Sequence, residues 1–591
     1  RHQGPIWKAE AGLGDSRATS IVSNLSRGYY GGVNAQRAGV TVAFEDIGRL
    51  RPGRILVSDG TTGAAVDPYS LASYSITSGS GNSRFGQRFD DESHDLKRNA
   101  YLNLARDFNG VLPLALKAGL DLRQNARDRV GGTAVYTFVG ADGRTSNTPT
   151  GPSDDSASVI LDDLFSRRPG VWGFPATQRP GNGKLWELYQ AKPAYFTTND
   201  NNAYRSSVGL SKYAEEITSA AFLRGDTALL GNRLKLTGGL RAEQTNIAAD
   251  GPLEDPTLNF QRDAAGRVLL GTNGRPLALP GTALEISRRT YLERGNHVAK
   301  EYLRFFPSLN ASYQLGENLI ARAAYYHTVG RPNYNQYAGG VTLPDLESVP
   351  SPTNRIVLNN TAIKVWSART GKVALEYYFE GVGLVSVGAF RRQFENFFGS
   401  TVLTPTAEFL AIHGLDAAEY GGYDVATQYN VSSLVHMEGL DFQYRQALTF
   451  LPAWARGVQI FASATAQRTL GEEADNFSGF IPRTASAGVA FTRPKYNVRL
   501  NWTFQSLRKL AQITGGSVGP GTFTYATPRR LIDLTGEYQL TPRLALFGNI
   551  RNLQDQTEDF ERYGPATPGY AKFRQSDRYG ALWIFGLRGN F

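Results

Sequence analysis

The sequence predicts an all-β fold, a transmembrane antiparallel up-and-down β-barrel. Three observations predict it. Apolar and polar residues alternate strictly over long segments, the period of a strand with two different faces. The connections between those segments are by turns short and long. No run of about 18 apolar residues occurs, so no helix of this chain can cross a bilayer, and strands are left to do it.

The alternating segments follow in chain order. In 112–125, Leu112, Leu114, Leu116, Ala118, Leu120 and Leu122 share one side, with Lys117, Asp121, Arg123 and Asn125 on the other. Leu440, Phe442, Tyr444, Leu448 and Phe450 alternate with Asp441, Gln443, Arg445 and Thr449. Val498, Leu500, Trp502 and Phe504 alternate with Arg499, Asn501, Thr503 and Gln505, and Ile532, Leu534, Gly536, Tyr538 and Leu540 with Asp533, Thr535, Glu537 and Gln539. These stretches are long enough to cross a membrane at a tilt and too polar on their second face for a sandwich core. Trp502, Tyr444, Phe450 and Trp583 fit interfacial belts, and inward Arg445, Arg499, Asp441 and Asp533 fit ion pairs across the wall or to a plug.

Tight turns are expected near Asn109–Gly110, Asp226–Asn232, Gly316–Asn318, Glu380–Gly383, Pro452–Arg456, Pro494–Lys495 and Thr541–Pro542. Between them run long stretches near 127–203, 248–302, 330–370, 399–434, 470–482, 508–523 and 556–575. Such parity belongs to a barrel whose two rims face different compartments. Counting back from Phe591 gives about 17 strand candidates, the least defined before residue 60. The last strand, Tyr579–Phe591, sets Tyr579, Ala581, Trp583, Phe585, Leu587 and Phe591 on one face. If its end lies at the periplasmic rim, every short turn is periplasmic and every long loop extracellular. No fixed-period repeat or low-complexity linker interrupts the chain, so 1–591 reads as a single barrel domain.

Composition agrees and excludes other classes. Among 591 residues there are 64 Gly, 29 Tyr, 31 Phe, one Met and no Cys, which removes disulfides, thiolate metal sites and thiol catalysis. Mean hydropathy is −0.33, as expected when only one face of each strand meets lipid. The net charge of +10 is interleaved with acidic residues and forms no run that suggests nucleic acid; it suits anionic headgroups or polysaccharide. No basic-then-apolar signal peptide follows Arg1.

Five segments carry a resemblance: RLKLTGGLRAEQT (233–245), FFPSLNASYQLGENLIARAAYYHTVGRPNY (305–334), VALEYYFEGVGLVSVGAFRRQFENFF (373–398), MEGLDFQYRQALTFLP (437–452) and LFGNIRNLQDQ (546–556). Their order and spacing resemble the C-terminal barrel portion of TonB-dependent outer-membrane receptors, with Gln554 where the family's last motif has Phe. The likeness covers about 210–591 and is weak before that. It implies a barrel of 22 strands filled by an N-terminal plug. No plug-like segment precedes the first strands here, and about four or five strands are unaccounted for, so the expectation is that another segment or chain fills the gap. A smaller complete barrel is the other reading. The resemblance further implies a Gram-negative outer-membrane address and an aromatic-ended insertion signal (Trp583, Phe585, Leu587, Phe591) read by the barrel insertion machinery. Expected partners are the TonB energy-coupling protein, engaged through the plug or N-terminal segment, outer-membrane lipid and lipopolysaccharide, and a surface lipoprotein. The activity implied is energised uptake of a scarce ligand, an iron chelate, cobalamin or an oligosaccharide. A passive porin and an assembly scaffold are the alternatives.

No enzyme is read from the residues. The six histidines are scattered without metal-helix spacing, no Gly-x-Ser-x-Gly elbow or lysine-capped phosphate loop occurs, and no cofactor site is evident. Asp90–Asp91, Asp154–Asp155 and Asp162–Asp163 read as loop acids. Candidate ligand contacts lie in the long loops: Trp172, Phe174, Trp186 and Tyr189, beside Tyr195 and Phe196, then His327, Arg331, Asn333, Tyr334 and Tyr337. Aromatic faces and amides there can stack on and hydrogen-bond a ligand, or pack the loops into a cap. The segment 406–420 is expected to form a short helix packed on the rim.

Overall fold

The computed structural model describes residues 1–591 except 50, 87–90, 111, 147–153, 171–172, 275, 343, 345–354, 380–382, 413–414, 416, 473, 475–478, 514–517 and 590–591. One antiparallel sheet of seventeen strands organises the chain, the first of them only the two residues His2–Gln3. The sixteen others are numbered here β1 to β16. The first eight are β1 Trp7–Val22, β2 Asp91–Asn109, β3 Pro113–Val130, β4 Lys212–Leu229, β5 Leu234–Glu254, β6 Tyr291–Gln314, β7 Leu319–Gly330 and β8 Trp366–Phe379. The others are β9 Gly383–Glu395, β10 Val435–Ala447, β11 Val458–Leu470, β12 Arg483–Thr492, β13 Tyr496–Gln505, β14 Arg529–Thr541, β15 Leu544–Arg551 and β16 Leu582–Gly589. Each pairs with its sequence neighbour, an unbroken meander from β1 to β16. Among the described residues no ladder joins β1 to β16.

Register makes the alternation two-dimensional. Leu375 stands opposite Val387, Val387 opposite Phe442, and Phe442 opposite Ala464, so one row of side chains crosses four strands on one face. The same row logic joins Trp502 to Ala487 and Ile532, and Phe585 to Gly548. This band stays open to its surroundings: Val373, Val387, Leu440 and Phe585 are each more than half exposed. The opposite face carries Arg322, Lys372, Glu376, Asp441 and Gln443. Arg322 Nε lies 2.8 Å from Glu376 and Lys372 Nζ 3.1 Å from Asp441. An apolar stripe left bare on one side and a polar, ion-paired second side is the division lipid requires.

The rims differ as the sequence indicates. Strand pairs β2–β3, β4–β5, β6–β7, β8–β9, β10–β11, β12–β13 and β14–β15 close through short connections, all at one edge. At the other edge the connections are long, and they fold. The described residues between Ser23 and Gly86 form a long loop with strands of its own; the sequence reading is least defined before residue 60. Its Gly32–Gln36 and Ser75–Asn82 strands join Thr133–Phe138 and Phe196–Thr198 from the loop between β3 and β4 in a four-stranded sheet. Helix α1, Asn182–Ala191, lies on it, around a core of Tyr30, Ile76, Phe138, Ile160 and Leu185, each at most 1% exposed. The segment 406–420 forms Ala407–Ile412 and Ala417–Tyr420, with Leu410 and Tyr420 buried against Ile356 and Val425. The last strand starts at Leu582, not at Tyr579 as expected, and Phe591 lies outside the described residues. Among the described residues no helix is long and apolar enough to cross a membrane.

The faces predict opposite responses one residue apart. Phe442→Arg, in the apolar row, should destabilise the protein by roughly 2–4 kcal/mol when unfolded from lipid. Gln443→Arg, on the polar face, should change stability by less than about 1 kcal/mol. Equal losses in urea unfolding from lipid vesicles would refute the assignment of faces.

Candidate functional site

The polar face near the long-loop rim holds a chain of ion pairs built by strand register. Asp121 on β3, Ala220 on β4, Glu243 on β5 and Arg304 on β6 form one row. From it, Arg123 reaches Asp121 at 2.7 Å, and Arg241 reaches Asp121 at 3.0 Å and Glu243 at 2.8 Å. Arg331, the first residue after β7, folds back to complete the chain. It pairs with Glu243, lies 3.5 Å from Glu216, and donates to Tyr302 Oη at 3.2 Å and Thr245 Oγ1 at 3.3 Å. Three guanidiniums thus alternate with three carboxylates, and the carboxylates are the better buried.

The ion pairs position the next segment. Helix α2, Tyr334–Ala338, starts with a capping box in which Asn333 accepts from the Gln336 amide at 3.0 Å and the Gln336 side chain accepts from the Asn333 amide at 3.3 Å. Tyr337 and Ala338 are 1% exposed, packed on Ala214, Ile247 and Ala249 of the polar face. Burial pushes the Tyr337 and Tyr334 phenols up, keeping both neutral at physiological pH. The approach is close enough to require a glycine in β5: a Cβ at Gly251 would stand 1.9 Å from the Ala338 carbonyl oxygen. Lys212 Nζ donates to the Gly339 carbonyl at 3.0 Å and holds the exit. Further toward the short-turn rim, a recess of about 610 Å³ opens on the same face, lined by Arg233, Lys235, Arg322, Glu376 and Asp441.

The expected contact residues fall into three groups. Arg331, Asn333, Tyr334 and Tyr337 come together on the polar face, with Asn333 engaged as a helix cap and Tyr337 buried. Trp186 and Tyr189 stack in the loop cap, Trp186 edge-on to Tyr30 at 5.5 Å and Tyr189 to Phe196 at 5.3 Å, while Phe174 lies under the Arg51 guanidinium at 5.6 Å. Here the aromatics pack loops against one another. Trp172 lies outside the described residues. His327 stands apart, opposite Arg369 in the row directly above Tyr325 and Gly371, on the apolar face of the wall. Its Nε2 is 2.8 Å from Tyr325 Oη. Trp583, Phe585 and Leu587 are exposed on the apolar face. Asp162 caps a helical turn at Leu164 and Phe165, and no cluster of metal-ligating side chains occurs among the described residues.

Asp121 is read from the sequence only as a polar-face residue, and Glu216, Arg241, Glu243 and Tyr302 are not singled out. One signal was available: the runs Leu120–Arg123 and Leu240–Gln244 set charged residues on the polar face of strands that pair through β4.

A two-faced meander with one bare apolar band, tight turns on one rim and folded loops on the other defines the wall of an outer-membrane β-barrel protein. The chain belongs to the TonB-dependent receptor-like β-barrel family, which matches residues 40–553. Among solved structures it is similar to the closed form of the ferric-catecholate import receptor Fiu from E. coli K12, with 13% identity, 100% of this chain and 62% of that one covered, and a TM-score of 0.49. It is similar too to the Pseudomonas aeruginosa ferripyoverdine receptor, at 10% identity, 99% and 54% coverage and a TM-score of 0.46. The siderophore receptor PiuA from Acinetobacter baumannii gives 11% identity, 99% and 72% coverage and a TM-score of 0.46. The chain thus spans 62% of the length of Fiu. No curated protein matches the chain by sequence.

Two outcomes test the cap and site. Gly251→Ala should lift α2 from the wall, so the amides of Gln336 and Tyr337 exchange at least about tenfold faster while β8–β11 are unchanged; equal protection would refute the close approach. In the cap, Asp59 accepts from the Thr62 and Thr61 amides, which hold its carboxyl down to about 2, with Arg37 2.9 Å away. Because the folded pKa is depressed, the stabilisation is present above the ordinary carboxylate range near about 3.9 and is lost as pH falls toward 2. Thr61 and Thr62 amide protection should therefore drop over that window and be low at all pH in Asp59→Ala, which removes the acceptor.

Proposed function

We propose that this chain is the wall and loop cap of an outer-membrane active transporter, which takes a scarce ligand from outside and passes it inward with energy supplied by the TonB coupling protein. Membership of the family supports the class. The observation that carries the reading is the asymmetry of the rims: long loops fold into a cap over one rim, and one of them, 331–338, is anchored on the polar face by Arg331. Arg331, Tyr334 and the recess beside Arg322 and Lys372 are the contacts we assign to an inward-moving ligand, with Phe174, Trp186 and Tyr189 at its entry and His327 outside the path. The ligand is met by binding groups, and no chemistry is performed on it.

The domain reading follows from the same constraint. Apart from the short pairing of His2–Gln3 on β1, the outer edges of β1 and β16 would leave rows of peptide groups bare in hydrocarbon, at several kcal/mol each. Further strands closing the interval between them, and a plug within it that carries the TonB contact, complete the transporter we propose. Recognition by the insertion machinery through the C-terminal strand and contact with a surface lipoprotein over the loops belong to the same reading.

Uptake of the cognate ligand should fall to background in cells lacking TonB and in cells whose energy gradient is collapsed. Uptake unchanged by TonB loss, together with steady conductance in a planar bilayer, would replace the transporter by a passive pore.

A further inference from the structure

We propose that the apolar face of the wall seats one lipid whose headgroup is a phosphate monoester, its acyl chain in a groove crossing β6–β12 and its phosphate on Arg391, Arg468 and Arg483. The inference rests on the reading that this face meets the bilayer. A depression of about 880 Å³ opens there, toward the long-loop rim. Small residues make its floor: Ala323, Gly371, Ala389 and Ala466 lie on consecutive strands or one strand apart, in rows they share with the bulkier Val373, Leu440 and Tyr325. Leu309, Tyr325, Val373 and Leu440 stand up as its sides, each about half exposed. Apolar lining of this depth fits a hydrocarbon chain more closely than the flat band elsewhere.

The rim adds a sign. Arg391 stands opposite Glu438, and Glu438 opposite Arg468, in the same row as the floor residue Gly371, which faces Arg391. Arg483 stands opposite the floor residue Ala466. Glu438 is shared by two guanidiniums at long range, Arg391 at 3.5 Å and Arg468 at 3.3 Å, with the arginine side chains 63% and 72% exposed. Among the described residues Arg483 has no carboxylate partner. Three cations against one carboxylate leave two positive charges at the end of an apolar trough. A phosphate monoester near −1.5 to −2 at pH 7 complements them, whereas a zwitterionic headgroup or an uncharged protein surface does not.

The chain together with the closing strands proposed above, inserted in phosphatidylcholine bilayers, with insertion read by heat-modifiable migration and strand-rich circular dichroism, gives the test. Phosphatidic acid is the probe, its retention read by native mass spectrometry. One molecule should be retained in preference to phosphatidylcholine by at least about tenfold, the scale of two or three basic residues at a membrane surface. That preference should fall below pH about 6 as the monoester loses its second charge. It should vanish in the triple variant Arg391→Gln, Arg468→Gln, Arg483→Gln. It should vanish equally in Gly371→Phe, which fills the groove at a position where an added Cβ meets nothing within 4 Å. Inorganic phosphate should not compete. Retention unchanged in either variant, or displaced by inorganic phosphate alone, overturns the seat while leaving the membrane reading intact. Failure of the chain to insert overturns the membrane reading itself.

Discussion

Hydrocarbon offers a peptide group nothing to bond, and the wall answers that constraint strand by strand. Each of β1–β16 is paired along most of its length with its sequence neighbour, so ladder hydrogen bonds, not a dry core, hold the main body together. That is why Val387 and Leu440 are more than half exposed without contradiction, and why the chain's buried clusters lie toward the loop end. Hydrophobic burial in the ordinary sense operates in the cap, where Tyr30, Phe138 and Leu185 close around α1.

From this division the rest follows. The polar face, freed from lipid, can carry charge, and charges on neighbouring strands fall within reach of one another because register fixes their rows. Asp121, Glu243 and Arg241 meet for that reason. Arg331 extends the row into a loop, so a segment outside the sheet takes its position from the sheet's pleat.

Much of the wall was legible in the sequence because a period of two is a local property. The turns at Gly316–Asn318, Pro494–Lys495 and Thr541–Pro542 sit between strands as read, and the helical segment at 406–420 forms. What was not legible depends on partners distant in sequence. The Gly32–Gln36 and Ser75–Asn82 strands are short, rich in Ser and Gly and paired with each other across a forty-residue gap, so residues 23–90 carry little periodicity of their own. The site was legible as residue types only. Arg331 and Tyr337 stood out as loop residues, but nothing local indicates that one pairs with Glu243 and the other packs on Ile247, since those contacts come from β5, more than eighty residues earlier. His327 and Arg331 look equivalent in one dimension and end on opposite sides of the wall, because four residues span the end of β7 and the bend after it.

The ion-pair chain Arg123, Asp121, Arg241, Glu243, Arg331, Glu216 holds as many acids as bases. A newcomer bearing negative charge would gain a guanidinium there only by exchange, taking Arg331 from Glu216 or Glu243. Since Arg331 leads directly into the clamp formed by α2, such an exchange would be felt as a loosened tether. In the uptake proposed above, charge neutrality at rest would turn recognition and release of the tethered loop into a single competition for one side chain.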